Sequence, residues 1–102
     1  LPLGEAEKKL IAAYHTAMQD LPETAGAVLN LSDRYRVRLY LRDGSVILLH
    51  GNVDPTRLLP TAVASMLRYR AGTGDVSPLS VNVSENGNIS LSVRTDLPGI
   101  AP

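Results

Sequence analysis

The stretch YRVRLYLRDGSVILLHG, from Tyr35 to Gly51, decides the fold. Its first half alternates apolar and polar residues, with Val37, Leu39 and Leu41 on one side, which is the period of a half-buried strand. The Asp43-Gly44 pair that follows is typical of a two-residue hairpin turn. The second half, VILLH, is apolar on both sides, which indicates a strand at the centre of a sheet or under a helix. The stretch therefore predicts two antiparallel strands joined by a tight turn.

Helical periodicity appears on both sides of this hairpin. Within residues 5–20 and again within residues 54–70, apolar side chains recur every three or four positions, which predicts two helices. Asp54 is the expected N-cap of the second helix, and Pro55 suits its first helical position. Pro60 lacks the N–H that would bond to the carbonyl four residues earlier, so we expect a distorted first turn.

Three further strands complete the predicted fold, over residues 27–31, 79–83 and 88–95, with Asn86-Gly87 as the turn before the last strand. A flexible connection is expected over residues 71–77. The order α-β-β-β-α-β-β predicts an α+β domain, in which two helices pack on one face of a mixed or antiparallel sheet of about five strands. The side chains expected in its core are Leu39, Leu41, Leu48, Val63, Met66, Leu67, Val81 and Leu91.

The composition fits one domain and excludes several classes of function. The 102 residues suit a single domain over residues 1–102, with an irregular tail at 96–102. Ten Lys and Arg balance ten Asp and Glu, so the domain lacks the overall positive charge of a nucleic-acid-binding module. The absence of Cys excludes disulfide, thiolate and Cys-ligated metal chemistry. Because the chain starts at Leu1, we expect it to be a piece excised from a longer protein.

Catalytic and metal-binding constellations are not evident in the sequence. His15 and His50 have no partner at ligand spacing, so we expect structural or solvated roles for both. Gly72-Thr73-Gly74 lacks the following Lys of a phosphate-binding loop. We therefore expect a protein that is not an enzyme and that uses no cofactor and no metal.

A stripe of arginines is the sharpest local charge feature. Arg36 and Arg38 share one face of their strand with Tyr40, and the pattern adds Arg94 to that face. One interpretation is a surface for an anionic partner such as RNA, a glycan or an acidic peptide. The other is a solvated face whose charge is neutralised by cross-strand partners such as Glu85. A nucleic-acid platform needs stacking aromatic residues, and only Tyr40 is available there.

The last predicted strand, residues 88–94, is a candidate edge for binding a partner strand. It carries neither the Lys nor the Pro that usually protect an exposed edge. One interpretation is a hairpin that is covered inside the parent protein. The other is β-augmentation, in which a partner segment adds as the next strand. We expect Ser90 or Ser92 to point its N–H outward. The candidate partner-binding residues are Asn88, Ile89, Ser90, Leu91, Ser92, Val93 and Arg94.

Four segments together resemble the extracytoplasmic β domain of the FtsQ/DivIB family of bacterial cell-division proteins. They are LIAAYHTAMQDLP before the first strand, VRLYLRDGSVILLHG as the apolar hairpin, TRLLPTAVASML as the Leu-rich helix, and LSVNVSENGNISLSV as the last two strands. They span nearly the whole chain. None is a diagnostic motif by itself, because the family shares a pattern more than invariant residues.

The resemblance implies a non-enzymatic assembly domain of the divisome. The parent would be a single-pass protein of the cell membrane with this C-terminal domain on the extracytoplasmic side. Its implied partners are division proteins of the FtsB/DivIC and FtsL types, and nucleic acid is not expected among them. The family docks its partner strand on the last strand of this domain, which corresponds to residues 88–94 here. The alternatives are an Arg-faced sheet domain that binds an anionic polymer, and a structural domain of a secreted protein.

Overall fold

The computed structural model describes residues 4–33 and 35–95, and the predicted α-β-β-β-α-β-β order is confirmed there. The predicted tail at 96–102 lies outside the described residues. A 3₁₀ turn, Pro22–Thr24, follows the first helix. The helices and strands are α1 (Glu5–Gln19), β1 (Val28–Asn30), β2 (Arg36–Tyr40), β3 (Val46–His50), α2 (Pro55–Thr73), β4 (Leu79–Val83) and β5 (Ile89–Val93).

The five strands form one mixed sheet in the order β1-β2-β3-β4-β5. All neighbours are antiparallel except β3 and β4, which run parallel with α2 as their crossover. The predicted β2–β3 hairpin is confirmed, with Leu39 opposite Ile47. The predicted two-residue turn is wrong, because Leu41 donates its N–H to the Ser45 carbonyl and the loop therefore has three residues, 42–44. β3 is the central strand, which explains why VILLH is apolar on both sides.

The core lies between the sheet and the two helices, which pack on the same face. Alternate residues of β2, β3 and β4 contribute its lower layer, while Tyr14 and Ala17 of α1 and one stripe of α2 contribute its upper layer. The fully or nearly fully buried strand residues are Val37, Leu39, Ile47, Leu49, Leu79, Val81 and Val83. The predicted core positions Leu39, Leu41, Val63, Met66 and Val81 are confirmed.

Three predicted core positions differ from the structure. Leu48 pairs with Arg38, so it lies on the face of β3 that the helices do not cover, where it is half-buried. Leu67 is 47% exposed, because one residue along an α-helix turns about 100° and carries it past the buried stripe that ends at Met66. Leu91 packs against the core but is only half-buried, because it lies on the outermost strand.

Local sequence signals determine where α2 begins and ends. The Asp54 carboxylate accepts a hydrogen bond of 3.0 Å from the N–H of Thr56, as expected of an N-cap. α2 is continuous through Pro60. It ends at Thr73, three residues beyond the predicted end, because Gly74 adopts a left-handed conformation and donates its N–H to the Arg70 carbonyl.

Candidate functional site

β5 forms one outer edge of the sheet and pairs only with β4. The N–H of Arg94 donates to the Pro78 carbonyl, and the N–H of Ser84 donates to the Asn88 carbonyl, both at 2.8 Å. In an antiparallel ladder, every second residue directs its N–H and C=O toward the neighbouring strand. Asn88, Ser90, Ser92 and Arg94 are therefore the residues that face β4.

The residues that direct their backbone groups away from β4 are Ile89, Leu91 and Val93. The expectation that Ser90 or Ser92 points its N–H outward is wrong. The hydrogen bonds at the two ends of β5 determine which of its residues face β4. The alternation of side chains in the sequence does not predict these hydrogen bonds. Within residues 4–33 and 35–95, no strand pairs with these outward groups of β5. The edge therefore presents three N–H donors and three C=O acceptors.

The apolar side of β5 is incompletely covered. Ile89 and Leu91 are half-buried, and Val93 is 42% exposed, although their neighbours on β4 are fully buried. A groove of about 290 Å³ adjoins this side and is lined by Ser65, Arg68, Tyr69 and Leu91. α2 therefore leaves an open apolar strip along the outer strand.

Tyr69 is fixed beside this groove by a hydrogen bond from its hydroxyl to the Asp75 carboxylate, at 2.8 Å. This bond raises the pKa of Tyr69. The ring therefore has a defined position next to the edge strand. Nothing in the sequence pattern distinguished Tyr69 from other polar residues of α2.

The other edge of the sheet is less suited to strand addition. β1 has three residues, whereas β5 has five. A very short edge strand is one of the ways in which proteins limit pairing with other chains. The longer edge is therefore the better candidate for a binding site.

The sheet face opposite the helices, here called the open face, is polar and carries the predicted arginines. Register places Arg36 beside His50 and Arg38 beside Leu48. Neither Arg36 nor Arg38 makes an ion pair with any residue that the structure describes, and Glu85 instead lies against Gly51. The strand residues on the open face are Val28, Asn30, Arg36, Arg38, Tyr40, Val46, Leu48, His50, Ser80, Asn82, Ser90 and Ser92.

Arg94 joins the open face by reaching across the sheet from the end of β5. Its guanidinium lies 5.7 Å from the centre of the Tyr40 ring on β2. The same side chain donates from Nη1 to the Gly44 carbonyl at 2.9 Å. Val46 lies opposite Tyr40 on β3 and is only 8% exposed, although it faces away from the helices. The alternation pattern placed Arg94 on this face, but it gave no sign of its contact with Tyr40.

The two histidines lie apart from each other in the fold. His15 is exposed on α1, and His50 Nε2 lies 3.2 Å from Asn82 Oδ1 on the open face. Among the residues that the structure describes, no three His, Asp or Glu side chains converge as metal ligands.

Comparisons with protein-family models, curated proteins and solved structures find no match to this chain. In the described part of the chain, neither helix combines the length and the apolar character needed to cross a bilayer.

Proposed function

We propose that the domain binds a protein partner by strand addition at the outer edge of β5, as an assembly module of the bacterial divisome. The observation that carries this proposal is a five-residue edge strand whose outward groups, on Ile89, Leu91 and Val93, pair with no described strand. Main-chain hydrogen bonds to such an edge give affinity, and pockets for alternate side chains give selectivity.

The surroundings of the edge specify the pattern of the partner strand. An added strand lies about 4.8 Å beyond β5, so its side chains continue both faces of the sheet. On the helix side they meet Leu91 and the groove beside Tyr69, where apolar side chains bury exposed carbon. On the other side they lie beside Ser90 and Ser92, which are exposed and polar. The partner is therefore a strand that alternates apolar and polar residues.

The assignment to the divisome combines this geometry with the resemblance of the sequence to the FtsQ/DivIB family. In that family, the strand-addition partners are division proteins of the FtsB/DivIC and FtsL types. The parent would be anchored in the cell membrane with this domain on the extracytoplasmic side. No catalytic group is required of the domain in this role.

The test removes one outward backbone donor at the centre of the edge. Leu91→Pro deletes the N–H that faces the partner, and Leu91→Ala is the matched control that removes the side chain but keeps this donor. Each lost hydrogen bond costs about 0.5–1.5 kcal/mol, and the Pro ring also obstructs the incoming strand. We expect Leu91→Pro to bind an FtsB/DivIC-type strand peptide roughly tenfold or more weaker than Leu91→Ala, at similar melting temperatures.

A second proline tests the register of the ladder. The N–H of Ser90 points toward β4, so Ser90→Pro should lower the melting temperature of the domain, because it breaks an internal hydrogen bond. Equal binding by Leu91→Pro and Leu91→Ala would show that the partner does not pair with this edge.

A further inference from the structure

The open face concentrates positive charge in a chain whose formal net charge is zero. Its strand residues include Arg36 and Arg38 but no Asp or Glu. The acids closest to these strands in the sequence, Asp33, Asp43 and Glu85, lie in turns beyond the ends of the strands. Since the acids of the described residues lie in helices, turns and loops, the open face has a positive potential of its own.

Three guanidinium groups follow one line along β2. Arg36 and Arg38 are two residues apart on the same side of the strand, a separation of about 6.8 Å between their Cα atoms. Tyr40 is the next residue on that side, and Arg94 places its guanidinium over the Tyr40 ring. The third cation of the line therefore comes from the end of β5, and its contact with Tyr40 is not evident from the sequence.

Hydrogen-bonding side chains lie beside this line of cations on the two strands next to β2. Asn30 of β1 lies opposite Arg38, and His50 of β3 lies opposite Arg36, whereas the polar residues of β4 and β5 are two and three strands away. Asparagine amides and imidazole nitrogens form hydrogen bonds with hydroxyl groups such as those of a sugar. Arginine in turn forms paired hydrogen bonds with carboxylates.

The aromatic content of the open face argues against a nucleic acid. Single-stranded nucleic acids stack their bases on exposed aromatic rings. Among the described strand residues of this face, Tyr40 and His50 are the ones with aromatic rings; Arg94 lies over the Tyr40 ring, and His50 Nε2 lies 3.2 Å from Asn82 Oδ1. Charge recognition without base stacking suits a polymer that has carboxylates and hydroxyls but no bases.

We propose that the open face is a second binding surface, which takes a linear acidic polysaccharide along β2. Arg36 and Arg38 bind its carboxylates, and Asn30 and His50 on the neighbouring strands bind its hydroxyl groups. This surface does not depend on strand addition at the β5 edge, because it uses side chains of the sheet face and no outward backbone group.

The experiment titrates the 102-residue protein with a galacturonate oligomer at several salt concentrations. The test variant is Arg36→Gln with Arg38→Gln, and the matched control is Lys9→Gln with Arg57→Gln, two exposed cations of the helices. We expect the test variant to bind about tenfold or more weakly than the wild type at low salt. The slope of log affinity against log salt is negative and should become less steep by about two, one for each cation removed, while the control variant keeps the wild-type affinity and slope.

Three outcomes would overturn the proposal. The first is the absence of binding to the galacturonate oligomer at low salt. The second is equal weakening in the test and control variants, which would place the binding elsewhere. The third is binding of oligo(dT) or an oligoglutamate of equal charge as tightly as galacturonate. Leu91→Pro should bind galacturonate as the wild type does, so failure at the edge and failure at the open face are distinguishable.

Discussion

The guanidinium of Arg70, in the last turns of α2, lies 2.8 Å from the Asp43 carboxylate in the β2–β3 turn. Its Nη2 also donates to Ser45 Oγ at 3.1 Å and to the Ser77 carbonyl at 3.3 Å. Ser45 is fully buried, and its Oγ accepts the N–H of Leu79 at the start of β4. The cluster therefore connects the C-terminal end of α2 to the starts of β3 and β4, the two strands that pair in parallel.

We expect Arg70→Ala to destabilise the domain by about 1.5–3 kcal/mol, because it removes a charged donor from several buried or half-buried acceptors. Arg70→Lys keeps the charge but loses the forked geometry, so its cost should be intermediate. Arg68→Ala removes an exposed arginine two residues away and should stay within about 0.5 kcal/mol of the wild type. Urea denaturation measures all three. A neutral Arg70→Ala would mean that water replaces these contacts.

This cluster also shows how far the sequence could predict the structure. Alternation in residues 35–51 predicted the β2–β3 hairpin, and Asp54-Pro55 predicted the start of α2, because these signals act between neighbours in the chain. The contact between Asp43 and Arg70 joins residues far apart in sequence, and no periodicity encodes it. The parallel pairing of β3 and β4 is likewise not encoded by a local pattern, because it depends on how the crossover helix α2 packs.

The candidate site was predicted in part for the same reason. Composition identified residues 88–94 as a strand without edge protection, and the structure places β5 at the edge. Which of its backbone groups face outward depends on the length of the loop between β4 and β5, which the hydrogen bond from the Ser84 N–H to the Asn88 carbonyl closes. The Asn86-Gly87 pair predicts that a turn lies there, but it does not specify that length. The groove beside Tyr69 likewise forms only when α2 packs over the sheet.

The pH dependence of stability should carry a contribution from Asp43. Partial burial opposes ionisation of this carboxylate, but hydrogen bonds from Ser45 and Arg70 and the charge of Arg70 outweigh it, so the pKa of Asp43 is lowered. A carboxylate with a lowered folded-state pKa stabilises the fold above its unfolded pKa and loses this contribution as the pH falls through the folded value. The stability difference between wild type and Asp43→Asn should therefore be constant above about pH 5 and shrink below about pH 4.

Urea denaturation of both proteins across this pH range measures that difference. Asp54 and Asp75 also have lowered pKa values, so the stability of the wild type will fall in acid for more than one reason. Subtracting the Asp43→Asn curve isolates Asp43, because the other two carboxylates are common to both proteins. A difference that stays constant down to pH 2 would show that Asp43 titrates alike in the folded and unfolded states.

Tyr14 of α1 is fully buried, and its hydroxyl has no hydrogen-bond partner among the described residues. An unsatisfied buried hydroxyl is unfavourable, so Tyr14→Phe should be neutral or stabilising by up to about 1 kcal/mol. Burial also raises the pKa of Tyr14 far above its ordinary value. The unfolded chain ionises this group above about pH 10 and the folded chain does not, so the wild type should lose stability there relative to Tyr14→Phe.

Thermal denaturation at neutral and alkaline pH checks both parts of the Tyr14 prediction. Tyr14→Ala is the control for packing and should cost about 3–5 kcal/mol, as expected for the loss of a large buried ring. A cost above about 1 kcal/mol for Tyr14→Phe would mean that the hydroxyl has a water partner, for which the adjoining cavity of about 160 Å³ provides space.

The last prediction compares two leucines that the sequence pattern treats alike. Leu39 is fully buried between the sheet and the helices, whereas Leu67 is 47% exposed on the flank of α2. Leu39→Ala leaves a cavity that the packed strands cannot close, so it should cost about 2–5 kcal/mol. Leu67→Ala removes a partly solvated side chain and gains helix propensity, so it should cost less than about 1 kcal/mol. Urea denaturation of both variants measures the contrast, and equal costs would mean that Leu67 is buried as deeply as the periodicity alone predicts.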